Sequence, residues 1–209
     1  MLNLYFVRHG ETLSNVWKTL QGWSDTPLTN LGIKQGKWLG IGMKNIPILK
    51  IYTSTSERAY DTADYLRGDR DLEIIMCRGL KEMNFGTLET KPNVFKGCTN
   101  YEELIFYPFD KVDGENFEMV YERIKETIRK IVDENKDLSG NIVCVSHGIT
   151  ILAAIKMVNI EAYEKQFKNK GFKNCSVTIL TYENNKFEVK LVNSDKFVEK
   201  GRLNEENNK

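Results

Sequence analysis

Leu2-Asn3-Leu4-Tyr5-Phe6-Val7-Arg8-His9-Gly10 opens the chain with an apolar run that stops at two basic side chains and a glycine. A short run of this kind, bounded by polar residues, reads as a buried strand. The pattern returns at Asn141–Ser146, which runs into His147-Gly148. The chain has only two histidines, and each follows an expected strand and precedes a glycine. In open α/β sheets the ligand crevice lies beyond the carboxyl ends of the strands, where both imidazoles would then stand. Glycine after each lets the backbone turn sharply and approach a ligand closely. Either histidine alone reads equally well as a structural or surface residue; the pairing points to a site.

Working outward, Leu49–Thr53 and Leu72–Cys77 read as two more buried strands, and segments of helical period separate them. That order argues for an α/β fold: a three-layer sandwich whose mostly parallel central sheet carries helices on both faces. The clearest helix is Glu115–Glu134, where Phe117, Val120, Tyr121, Ile124, Ile128, Ile131 and Val132 make one stripe. A second helix is expected after Thr29, a suitable N-cap, and a third after Ser54–Ser56 with Ala59, Ala63 and Leu66 on one side. Ser176–Tyr182 and Phe187–Val192 alternate around Asn184-Asn185 and read as an edge hairpin. The polar tail after Gly201 is expected to fray. Between Asn84 and Gly114 no clean period exists, and such a stretch reads as a lid or substrate-side insertion within one domain spanning 1–209.

Composition narrows the function. With 41% hydrophobic and 28% charged residues and 4 prolines in 209, this is a folding chain, not a disordered one. Thirty Lys and Arg against 29 Asp and Glu leave a net charge of +1, which weighs against a nucleic-acid binder or a polybasic membrane protein. Cys77, Cys98, Cys144 and Cys175 are too scattered for a zinc ribbon or a C-x-x-C redox site. Leu2–Val7 lacks the basic flank and length of a signal segment, and no run approaches the roughly 20 apolar residues that span a bilayer, so a cytoplasmic location is expected.

Leu49–Thr53 leads into Ser54-Thr55-Ser56-Glu57-Arg58, which puts Arg58 in the first turn of a helix at the same sheet edge. A cation there opposes the helix dipole unless an anion lies nearby. Arg8, Arg58 and backbone amides would form an anion cradle, with guanidinium forks matched to phosphoryl oxygens. The plainer reading of Arg58 is an ion pair with Glu57, Asp61 or a loop carboxylate. Glu82 follows the strand ending at Cys77; it either pairs with the arginines or donates a proton to a leaving oxygen. No H-E-x-x-H, Walker A or EF-hand sequence is present, so no metal site and no cofactor are expected, a pure aspartate cage being the alternative.

These residues resemble the histidine phosphatase superfamily, the phosphoglycerate mutase-like family. The resemblance rests on Arg8-His9-Gly10-Glu11-Thr12, Asn15, Gln21-Gly22-Trp23-Ser24-Asp25-Thr26-Pro27-Leu28-Thr29 and Gly32, then Ser54, Arg58-Ala59 and Thr62-Ala63. It continues through Leu80, Glu82, Phe85-Gly86, Gly114-Glu115, Arg123 and Ser146-His147-Gly148, in the expected order. The resemblance implies a phosphoglycerate mutase-like fold and a phosphohistidine formed on His9. It further implies that Arg8, Arg58 and His147 hold the phosphoryl oxygens, that Asn15 adds a hydrogen bond, and that Glu82 is the general acid. Gln21 and Gly22 fall among the phosphate- and substrate-binding positions. Cations at Arg8 and Arg58, with His147 as a further candidate, should keep the His9 imidazole neutral.

Met83-Asn84-Phe85-Gly86-Thr87-Leu88-Glu89 looks like the phosphatase branch, although Asp61 and Thr90 depart from common patterns. The implied activity is metal-independent hydrolysis of a small phosphorylated metabolite, with neither nucleic acid nor membrane as partner and the oligomeric state open. The alternatives are a phosphoglycerate mutase and a non-catalytic phosphate-ligand binder. Trp23, Phe85, Tyr101, Phe106, Tyr107 and Phe109 are candidate pocket walls, and Lys91 and Lys96 are candidates to meet a second acidic group.

Overall fold

The computed structural model describes residues 1–207. Its elements run β1 (Leu2–Arg8), α1 (Leu13–Trp17), α2 (Asn30–Gly42), β2 (Ile48–Thr53), α3 (Glu57–Arg67) and β3 (Ile74–Met76). There follow α4 (Tyr101–Phe106), α5 (Phe117–Glu134), β4 (Gly140–Ser146), α6 (Gly148–Val158), α7 (Ile160–Lys168), β5 (Val177–Glu183), β6 (Lys186–Ser194) and α8 (Lys196–Asn207). One sheet has the order β3-β2-β4-β1-β5-β6. Its first four strands are parallel, and β5 and β6 add antiparallel at one edge.

Side-chain alternation divides the core into two layers. Leu2, Leu4 and Phe6 of β1, with Ile142 and Cys144 of β4, face the apolar stripes of α5 and α6. Val7 of β1 and Val143 and Val145 of β4 face the other way, toward Leu39 of α2 and Ala59, Ala63 and Leu66 of α3. The three-layer arrangement expected from the sequence is therefore present. Thr29 caps α2 by accepting from Gly32 N, and Asn184 and Asn185 turn the β5–β6 hairpin with φ of 50° and 62°. Paired positive φ values suit the right-handed twist of the strands they join.

Several expectations need correction. The Leu72–Cys77 strand shrinks to Ile74–Met76, because only Ile51–Thr53 are available to pair with it. The tail beyond Gly201 does not fray within the described residues: it completes α8, which packs on α2. The helices approach so closely that a Cβ on Gly201 would overlap the Trp38 carbonyl, and Trp38 Nε1 donates to Glu205 at 3.1 Å. The 84–114 insertion is less loop-like than its sequence. It contains α4 and buries Ile105 and Phe109 completely. No helix among the described residues is long and apolar enough to cross a membrane.

Candidate active site

Register sets the site. Arg8 of β1 pairs with Ser146 of β4 at the last position of the ladder, so His9 and His147 leave the sheet level with each other. His9 N donates to Ser146 O at 3.1 Å, and the two ring centroids lie 5.2 Å apart. On the far side of β4, Thr53 pairs with Val145, which brings Ser54 beside His147. Three neighbouring strands thus end at one spot, and Arg58 follows from α3.

His9 is 4% exposed, and its Nδ1 lies 2.7 Å from the Gly10 carbonyl. A carbonyl only accepts, so Nδ1 carries the hydrogen and Nε2 keeps its lone pair. Burial holds this imidazole well below the ordinary histidine range, and Arg58 and Arg8 lower it further. His147 is fully buried. Its Nδ1 lies 3.0 Å from Arg58 Nη2, which only donates, so the remaining hydrogen sits on Nε2 and points at Ser54 Oγ, 2.8 Å away. His147 is thereby neutral and not the further cation considered beside His9, and burial followed by Arg58 depresses its basicity.

Arg58 is 1% exposed and is held by its whole surroundings. Nη1 donates to Ser24 O at 2.9 Å and Asp25 Oδ1 at 2.7 Å, while Nη2 donates to Gly22 O at 2.8 Å and to His147. The loop carboxylate expected as its plainer partner is Asp25, which also accepts from Glu57 N at 2.6 Å and so caps α3 from outside. Arg58 Nε and Arg8 Nε are buried without protein partners. Arg8 Nη1 donates to the Phe172 carbonyl.

Glu82 reaches the N-terminus of α6: Ile149 N and Thr150 N donate to it at 3.2 and 3.1 Å, and Met83 N at 3.0 Å. It does not pair with either arginine, which removes the first of its two sequence readings. Its loop is braced by Arg123, which donates to Gly79 O, Lys81 O and Glu82 O while paired with Glu115 at 2.9 Å. Glu89, the acidic residue after Phe85-Gly86, accepts from Trp23 N at 2.6 Å and from Ser24 N, and so fixes the turn that holds Arg58. Gly22 has φ of 51°, and a Cβ there would come 2.8 Å from the Phe85 ring.

Arg8, His9, Asn15, Gln21, Gly22, Arg58 and Glu82 all line one cavity of about 280 Å³. His147 lies behind that wall and touches it through Arg58. Gln21 is engaged with Thr12 and Thr26, both at 3.0 Å, so it shapes the wall more than it offers free donors. Asn15 Oδ1 accepts from Thr12 N and Asn174 Nδ2, which aligns its amide. Sequence reasoning missed Asn174 and quoted Thr62 among the resembling residues without a task; the Thr62 hydroxyl joins Arg58 O to Gly10 N. Neither glycine after a histidine has positive φ; Gly10 serves close approach, since a Cβ would lie 2.7 Å from Gly32 O. Of the aromatic candidates Phe85 and Tyr101 line the cavity, whereas Trp23, Phe106, Tyr107 and Phe109 do not. Lys170 lines it in place of Lys91 or Lys96. Among the described residues no group of three or more His, Cys, Asp or Glu is placed to hold a metal ion.

The family model for the histidine phosphatase superfamily (branch 1) matches residues 4–195. A probable phosphoglycerate mutase GpmB of Yersinia pestis is 39% identical over 92 residues, covering 44% of this chain and 43% of that protein. The chain thus aligns with less than half the length of that curated relative. Among solved structures, a phosphoglycerate mutase from Bacillus anthracis superposes with TM-score 0.84 at 32% identity over 96% of both chains. Phosphoserine phosphatase from Entamoeba histolytica, an H9A mutant in complex with phosphoserine, gives TM-score 0.78 at 27% identity over 94% of this chain and 99% of that one.

Proposed function

The chain belongs to the histidine phosphatase superfamily, and on that premise we propose that it is a metal-independent phosphomonoesterase acting on a small phosphorylated metabolite through a phosphohistidine on His9. One observation carries this reading: His9 faces the cradle with Nδ1 tied to Gly10 O and Nε2 free. In the first step Nε2 forms a bond to phosphorus as the P–O bond to the alcohol breaks, and Glu82 supplies the proton that the alcohol takes away. Water then attacks phosphorus, the N–P bond breaks, and Glu82 recovers a proton from that water. Arg8 and Arg58 neutralise the equatorial oxygens. His147 acts on the phosphoryl group by holding Arg58, or directly once its ring exchanges Ser54 for a phosphoryl oxygen.

The test is to trap phosphate on the protein during turnover of a phosphomonoester panel. Acid-labile, base-stable label is expected on the wild type and none on His9→Ala; equal labelling of both would remove His9 as nucleophile. A second reading, phosphoglycerate mutase, is favoured by the likeness to the Bacillus anthracis structure. Incubation with 3-phosphoglycerate and its bisphosphate primer separates the two: free phosphate without isomerisation supports hydrolysis, and rapid isomerisation supports the mutase.

A further inference from the structure

Resting on the phosphomonoesterase reading, we propose that the Tyr101 hydroxyl is a substrate-contacting group that hydrogen-bonds the ester oxygen of an aliphatic phosphomonoester as that bond breaks, making the insertion part of the catalytic apparatus. Tyr101 is the first residue of α4, and Asn100 fixes the start of that helix by accepting from Glu103 N at 3.0 Å. The Tyr101 ring is seated against Phe167 of α7, with centroids 5.9 Å apart. The side chain lines the same cavity as Arg8, His9 and Glu82. Its ring is therefore held from the α7 side while its hydroxyl donates to no protein group among the described residues.

A hydroxyl on a half-buried ring that opens on the cavity and has no protein partner is free to meet a ligand there. Tyr101 shares that cavity wall with Glu82, the group that meets the leaving oxygen, and with Arg8. Burial, with Glu82 second, pushes the phenol above its ordinary range, so it keeps its proton and has a hydrogen to donate. The proton that leaves with the alcohol comes from Glu82; Tyr101 stabilises the charge growing on that oxygen and is chemically unchanged. Such a donor matters for alkoxide leaving groups, which develop much charge, and little for phenoxides, which carry it unaided.

The experiment compares wild type with Tyr101→Phe, which retains the ring against Phe167, on glycerol phosphate and on p-nitrophenyl phosphate. The expected result is a fall in kcat/KM of roughly 10- to 100-fold on the alkyl ester and less than about threefold on the aryl ester. Inhibition by vanadate should be unchanged, because the phosphoryl cradle is untouched. Equal kcat/KM for the two proteins on glycerol phosphate overturns the proposal while leaving the phosphatase reading in place. Equal losses on both esters with weakened vanadate inhibition also overturn it, since that marks a merely structural residue. Wild-type protein inert toward both esters would overturn the underlying reading, and the proposal with it.

Discussion

At the scale of single residues, the two imidazoles govern how the protein responds to acid. Burial, then Arg58, depresses both His9 and His147, so the folded chain refuses protons that the unfolded chain accepts below about pH 6.5. Stability should therefore be full above that value and decline as pH falls through it, by up to about 1.4 kcal/mol per pH unit for each histidine. Urea unfolding midpoints at pH 7.5, 6.5 and 5.5 measure this, and a flat profile would contradict two neutral buried rings. If His9 is the nucleophile as proposed, the acid limb of phosphoenzyme formation should likewise lie below the usual histidine range. Glu82→Gln should slow hydrolysis of alkyl phosphates by more than about 100-fold and of aryl phosphates much less; equal slowing would remove Glu82 from the acid role. Arg8, His9, Arg58 and Glu82 were legible because their chemistry follows strand ends in the sequence. Asn174 was not, because it acts through a hydrogen bond to a backbone carbonyl that no residue pattern announces; Thr62 was quoted with the resembling residues, but its task, bonds to backbone groups alone, was not legible.

At the scale of elements, legibility followed amphipathic contrast. The stripe of α5 is visible because charged residues alternate with it, and the structure buries Val120, Ile124, Ile128 and Ile131 as that stripe requires. By contrast α6 is buried from Ile149 to Ile155, and a helix apolar on nearly every side shows no period. The opposite failure occurs in α8, whose polar sequence conceals a contact made by glycine. Gly201→Ala should therefore destabilise the protein by about 1–3 kcal/mol, since an inserted methyl meets rigid backbone at Trp38. Gly68→Ala is not an equivalent control, because its φ of 54° strains any Cβ despite open space. An exposed helical change such as Lys200→Ala is the better comparison, with an expected effect within about 0.5 kcal/mol. Indistinguishable melting of the Gly201 and Lys200 variants would show that α8 does not dock as described.

For the whole molecule, the register between β1, β4 and β2 sets both architecture and site: a slip of one residue would send each core side chain to the wrong layer and separate His9 from His147. This coupling explains why histidines at two strand ends, far apart in sequence, sufficed to locate the crevice. It could not reveal the course of 84–114, whose shape depends on rings meeting across the chain, Tyr101 on Phe167 and Phe106 on Phe117. Because the cradle draws on β1, α3 and the turn at Gly22, an anion bound there links segments that must separate when the chain unfolds. Vanadate at about 100 times its dissociation constant should add about 2.7 kcal/mol of stability, a rise in melting temperature of roughly 5–10 °C for a domain of this size. The rise should persist in EDTA, since guanidinium groups supply the positive charge, and should vanish in Arg58→Ala. A full shift in that variant would place the bound anion elsewhere, and a shift abolished by EDTA would mean that a metal ion, not Arg8 and Arg58, neutralises the anion.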